Sequence, residues 1–161
     1  MKILGLDPGS HRTGFGIMKV VGGKEDVLEY GTYERQAVEN EKALASLLSW
    51  TILMLEKWNP DVVGMEAVFF GRNTQNAIRT AEARGVLMAA IGRWGRKCGV
   101  FHFTPSQVKK AATGSGTAEK KDVKRFLEAR FGMTLEGHDD GHDGLALAVS
   151  CIPYLKGLAA S

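Results

Sequence analysis

The chain has 161 residues, enough for one domain with a full core, and it reads as a single domain over residues 1–161. Hydrophobic residues make up 44% and charged residues 24%, the profile of a globular chain, and no apolar run approaches the roughly 20 residues of a membrane span. Net charge is only +3, but residues 67–130 hold 13 Lys and Arg against four Asp and Glu, while the remainder holds 8 against 14. So lopsided a split points to a polyanion partner rather than to solvated helix faces alone. The start, MKILGLDPGS, lacks the longer apolar region and cleavage site of a secretory signal. Cys98 and Cys151 form no disulfide framework and read as buried apolar residues, so a cytoplasmic protein without membrane contact is expected.

Lys2 to Leu6 is a short apolar run stopped by Asp7-Pro8-Gly9-Ser10, which predicts a buried strand and a turn. Thr13 to Val21 and Asp26 to Tyr33 flank Gly22-Gly23 and predict a hairpin. Leu44, Leu47, Leu48, Ile52, Leu55 and Trp58 have helical spacing, which predicts a helix over 41–58 broken at Asn59-Pro60. Asp61 to Met65 predicts a fourth strand, 73–96 a long helix, and Gly99 to Phe103 a fifth strand. Thr104-Pro105 reads as an N-cap with proline at the first helical position. The loop TGSG, 113–116, separates that short helix from an amphipathic one over 118–130, and a last helix is expected over 140–155. This order predicts an α/β domain: a mixed five-stranded sheet, three antiparallel strands followed by two parallel, with helices on both faces.

Acidic residues at the ends of buried strands need a reason, because an unpaired carboxylate is costly in apolar surroundings. Asp7 ends the first strand and Glu66 the fourth; if those strands are neighbours, the two side chains meet. The segment EGHDDGHDGLALAV, 136–149, adds Asp139, Asp140 and Asp143. Spacing alone does not choose between Asp139 and Asp140, since both i, i+4 and i, i+3 face Asp143. Carboxylates converging from distant segments suit one or two hard cations such as Mg²⁺ or Mn²⁺. Plain structural readings compete: Asp7 as a turn former, and Asp139 or Asp140 as an N-cap. His138 and His142 have the spacing of a zinc pair, but no third soft ligand is at hand, so His142 is expected to be a solvated or outer-layer residue.

Together these stretches resemble the RuvC family of bacterial Holliday junction resolvases, in the ribonuclease H-like superfamily. The resemblance rests on ILGLDPGSHRTGFGI (3–17), EAVFFGRNTQNAIRTAEARGV (66–86), PSQVKKAATGSGTAEKKDVK (105–124) and DGHDGLALAV (140–149), which lie in order along nearly the whole chain. It implies a ribonuclease H-like fold and a metal-dependent endonuclease. The implied metal-binding and catalytic carboxylates are Asp7, Glu66, Asp140 and Asp143, with two Mg²⁺ ions per subunit that Mn²⁺ can replace. The family register chooses Asp140 over Asp139, leaving Asp139 as an N-cap or outer-layer acid. The family more often has alanines where this chain has Gly141 and His142, which makes His142 a candidate modulator of pH response. Phe69 matches an aromatic that stacks on bases, and Arg72 and Asn73 share its loop. Lys109 and Lys120 match basic residues near the scissile phosphate. The implied partners are four-way junction DNA, a second copy of the chain and the branch-migration helicase complex RuvA–RuvB, in a bacterial cytoplasm. The small residues of the helix over 73–96 suit the dimer contact.

Three other readings are weaker. Actin-like ATPases share a DPG start but are far longer and need a second nucleotide motif. A DNA-binding module without catalysis explains the charge but not four carboxylates. A related group of RNA-processing nucleases shares the first motif but lacks counterparts of EAVFF and PSQVKKAATG.

Overall fold

The computed structural model describes residues 1–35, 39–67 and 74–155. Its five strands are β1 (Lys2–Pro8), β2 (Arg12–Val21), β3 (Lys24–Glu34), β4 (Val62–Glu66) and β5 (Gly99–Phe103). They form one sheet in the order β3-β2-β1-β4-β5. β1–β2 and β2–β3 pair antiparallel, β1–β4 and β4–β5 parallel, as the order of elements predicts. The β2–β3 turn is Gly22-Gly23, with φ of 58° and 84°, a left-handed pair that suits glycine.

Alternation along the strands sends two different sets of side chains to the two faces. Leu4, Leu6, Phe15, Ile17, Val63 and Met65 form one face, covered by α1 (Asn40–Trp58) and α2 (Thr74–Trp94). These helices bury Ala43, Leu47, Thr51, Met54 and Leu55 from α1, and Ala83, Leu87 and Ala90 from α2. Ile3, Met18, Val62 and Phe103 face the other way, toward α3 (Pro105–Thr113), α4 (Lys120–Phe131) and α5 (Asp139–Ser150). The core is therefore two apolar layers separated by the sheet.

Helix ends follow local chemistry. α1 stops where Asn59 adopts a left-handed φ of 46° and its N–H donates to the Leu55 carbonyl oxygen, with Pro60 next. Thr104 caps α3: its side chain accepts from the Gln107 N–H, and the Gln107 side chain accepts from the Thr104 N–H at 2.8 Å.

Several boundaries differ from the sequence reading. β1 runs through Pro8, one residue past Asp7; proline is tolerated there because the parallel pairing with β4 already ends at Leu6–Met65. α2 stops at Trp94, where Gly95 has φ 70°, and α4 starts at Lys120 because Asp122 accepts the Glu119 N–H at 3.1 Å. The last helix ends at Ser150, and Ile152–Tyr154 continues as a 3-10 turn around Pro153, which cannot donate to an α-helical ladder.

Candidate active site

β1 presents Ile3, Gly5 and Asp7 to the α5 side, and β4 presents Val62, Gly64 and Glu66. The parallel register pairs Gly5 with Gly64 and Leu6 with Met65. One step further, Asp7 and Glu66 stand side by side at the carboxyl ends of two central strands.

Glycines bring the third segment down onto them. A Cβ at Gly5 would overlap the Gly144 carbonyl oxygen, and one at Gly14 would overlap the Asp140 carbonyl oxygen. From the helix side, a Cβ at Gly144 would stand 2.5 Å from the Phe15 backbone nitrogen. α5 thus touches the sheet backbone to backbone, closer than side chains permit. This contact fixes both the height and the rotation of the helix, and it delivers Asp140 and Asp143 to the strand ends.

One carboxylate oxygen each from Asp7, Asp140 and Asp143 lies within 4.8 Å of the others. Glu66 lies outside that triplet but hydrogen-bonds to Asp7. All four line a cavity of about 220 Å³, whose walls are Pro105, Val108 and Lys109 of α3, Lys120 and Val123 of α4, and Leu147 of α5. Burial holds the Asp7 carboxyl well above the usual carboxylate range, and the charges of Glu66, Asp143 and Asp140 push it further. Glu66 is raised too, chiefly by burial, with Asp143 adding repulsion while the Asp7 hydrogen bond and Lys120 act in the opposite sense. Lys120 donates to Asp143 Oδ2 at 2.9 Å, and this contact is the main reason its ammonium pKa is raised.

A cluster of acids that repel one another in a half-buried cavity is a poor structural element and a good cation site. The oxygens are hard donors from three segments, which fits a divalent cation such as Mg²⁺ and does not fit a soft metal. Asp7, Asp140 and Asp143 would hold it, with Glu66 beside Asp7.

The other residues singled out in the sequence fare differently. Lys109 and Lys120 both reach the cavity wall. Phe69, Arg72 and Asn73 lie outside the described residues. Asp139 is the first residue of α5 rather than its cap, since His138 occupies the N-cap position. Its carboxylate is 71% exposed and lies 3.6 Å from His142 Nδ1. His142 is not solvated: it is 4% exposed, with Nε2 3.1 Å from the Glu136 carbonyl oxygen and its ring 6.1 Å from that of Tyr30. Gly141 approaches Gly31 of β3, and this turns residue 142 into the β3 side of the helix. The sequence reading missed the Lys120–Asp143 pair, which joins residues 23 apart and has no local signature.

Residues 3–151 match the family model described as crossover junction endodeoxyribonuclease RuvC. The chain belongs to the RuvC family. RuvC of Syntrophomonas wolfei is 35% identical over 151 residues, covering 92% of this chain and 87% of that protein. The Thermus thermophilus RuvC structure superposes with a TM-score of 0.86 at 25% identity, covering 98% of this chain and 96% of that one. The same Thermus protein in complex with a Holliday junction substrate gives 0.84 at 23% identity, with the same coverage. RuvC proteins are metal-dependent nucleases of ribonuclease H-like fold, and the mixed sheet and acidic cluster described above agree with that class.

Proposed function

We propose that the chain, acting as a single catalytic domain over residues 1–161, resolves four-way DNA junctions in recombination and repair. It nicks two strands of like polarity and leaves 5′ phosphate and 3′ hydroxyl ends. The observation that carries this reading is the triplet of Asp7, Asp140 and Asp143 oxygens within 4.8 Å, set in a cavity that Lys109 and Lys120 overlook. Family membership and the junction bound by the Thermus relative support the choice of substrate.

Asp7, the most central of the four acids, touches Glu66 and faces Asp140 and Asp143, so it organises the site. When bound there, two Mg²⁺ ions, or Mn²⁺ in their place, supply Lewis acidity that activates water and offsets charge on the leaving 3′ oxygen. Lys109 and Lys120 hold the scissile phosphate and orient it for in-line attack. Phe69 stacks on an unpaired base, a contact of about 1–3 kcal/mol, and Arg72 and Asn73 bind the DNA.

A four-way junction has approximate two-fold symmetry, which a two-fold homodimer with two such sites matches. The exposed side of α2 supports this arrangement. Ile78 and Met88 are exposed there, and a Cβ at Gly85 or Gly92 would meet nothing within 4 Å. Among the described residues no helix is long and apolar enough to cross a membrane. Work in a bacterial cytoplasm with the branch-migration helicase complex RuvA–RuvB completes the proposal. The test is Asp7→Asn: it abolishes junction cleavage in Mg²⁺ while junction binding persists. Cleavage by that variant at the wild-type rate would overturn the assignment.

A further inference from the structure

We propose that Lys120 is a built-in place-holder for the cation, released to the substrate phosphate when the cation binds. The inference rests on reading Asp7, Asp140 and Asp143 as cation ligands. Lys120 Nζ lies 2.9 Å from Asp143 Oδ2, so the ammonium engages a carboxylate that belongs to the triplet a cation would use. The charges of Asp7 and Asp139 also act on it. It is therefore a positive charge that offsets the acidic cluster in the cation-free protein.

The two partners differ in freedom. Asp143 sits on α5, adjacent to Gly144 and its backbone contact with β2, and cannot withdraw. Lys120 is the first residue of α4, and its side chain is 68% exposed against 31% for Asp143. Its four-carbon stem can swing without moving the helix. A cation arriving at Asp143 therefore displaces the lysine, and not the reverse. The displaced ammonium remains on the cavity wall, where it meets a phosphate. Cation and phosphate binding then favour each other, and by linkage the help is mutual. Phosphate takes the lysine away from Asp143 just as the cation does.

This predicts an effect opposite to simple loss of a site residue: removing the lysine tightens cation binding. Exposed ion pairs are worth up to about 1 kcal/mol, so Lys120→Met should lower the Mn²⁺ dissociation constant by about fivefold. Mn²⁺ titration followed by electron paramagnetic resonance reads this without any turnover. Lys120→Arg keeps the ion pair and should bind Mn²⁺ as the wild type does. Lys121→Met removes the same charge from a lysine paired with Glu119 at 2.8 Å and should change the affinity little. Lys120→Gln serves as a second neutral variant should the methionine perturb folding. The junction affinity gained on adding Ca²⁺ should also shrink in the neutral variants. Unchanged or weaker Mn²⁺ binding in both neutral variants, beside a wild type that binds Mn²⁺ and an Asp143→Asn that does not, would overturn the place-holder alone. A wild type without Mn²⁺ affinity, or an Asp143→Asn that binds as well as wild type, would overturn the ligand assignment and the place-holder with it.

Discussion

Asp7→Asn should stabilise the metal-free protein at neutral pH while destroying its activity. The side chain keeps its shape, but one negative charge leaves a group in which Asp7, Asp140 and Asp143 oxygens lie within 4.8 Å. At that separation two like charges repel by about 3.5 kcal/mol at an effective dielectric of about 20. Wild-type Asp7 escapes part of this by keeping a proton that it donates to Glu66, at a cost that grows with pH, and Lys120 offsets a further part, so the variant gains about 2 kcal/mol at neutral pH. For a domain of this size that raises Tm by about 4–8 °C. The new amide also donates to Glu66, replacing the hydrogen bond that Asp7 makes now. The pH dependence has a definite sign. The Asp7 carboxyl is held above its unfolded value of 3.8, so the folded state retains a proton that the unfolded chain has lost. Wild-type stability without metal therefore falls as pH rises from the ordinary carboxylate range through the raised value, and Asp7→Asn should flatten that fall. Mg²⁺ should stabilise the wild type and leave the variant nearly unmoved. Thermal denaturation in EDTA and in Mg²⁺, from pH 4 to 8, measures all of this. A variant no more stable than wild type in EDTA at pH 7 would refute the claim that Asp7 is strained by its neighbours.

Gly144→Ala places a methyl 2.5–2.6 Å from the Phe15 backbone, which cannot give way. It should cost about 3 kcal/mol, lower Tm by several degrees and abolish cleavage together, because α5 must lift away from Asp7; denaturation and junction nicking check it. Gly85→Arg faces open space within the monomer, so sedimentation should show a dimer split into folded monomers with an unchanged circular dichroism spectrum. Junction affinity should fall steeply with salt, as phosphate contacts by the basic helices release counterions, and a filter-binding series at rising NaCl reads the slope.

The sheet was legible because its signals are local: apolar runs, a Gly-Gly turn, and breakers at Asn59-Pro60 and Thr104-Pro105. The neighbouring of β1 and β4, which the sequence left as a condition, is what places Asp7 beside Glu66. The choice between Asp139 and Asp140 was not legible from spacing. Gly144 and Gly141 decide it by fixing how α5 rolls against β2 and β3, and that roll leaves Asp139 in solvent and buries His142. Glycines have no hydrophobic signal, so a cradle built from Gly5, Gly14 and Gly144 is silent in patterns of apolar residues although it sets the geometry of the site. The Lys120–Asp143 pair was silent for a different reason: it joins the start of one helix to the first turn and a half of another, across a loop whose path periodicity does not describe.

The central claim is that four acids on two strands and one helix make a metal-dependent centre selective for branched DNA. The most direct measurement incubates the protein with a synthetic four-way junction, a linear duplex of the same sequence and an RNA–DNA hybrid, in Mg²⁺ and in EDTA, with the ends of the products mapped. Paired nicks with 5′ phosphates are expected on the junction alone, and only with Mg²⁺. Equal cutting of the duplex or the hybrid, or junction cleavage in EDTA, would contradict the claim.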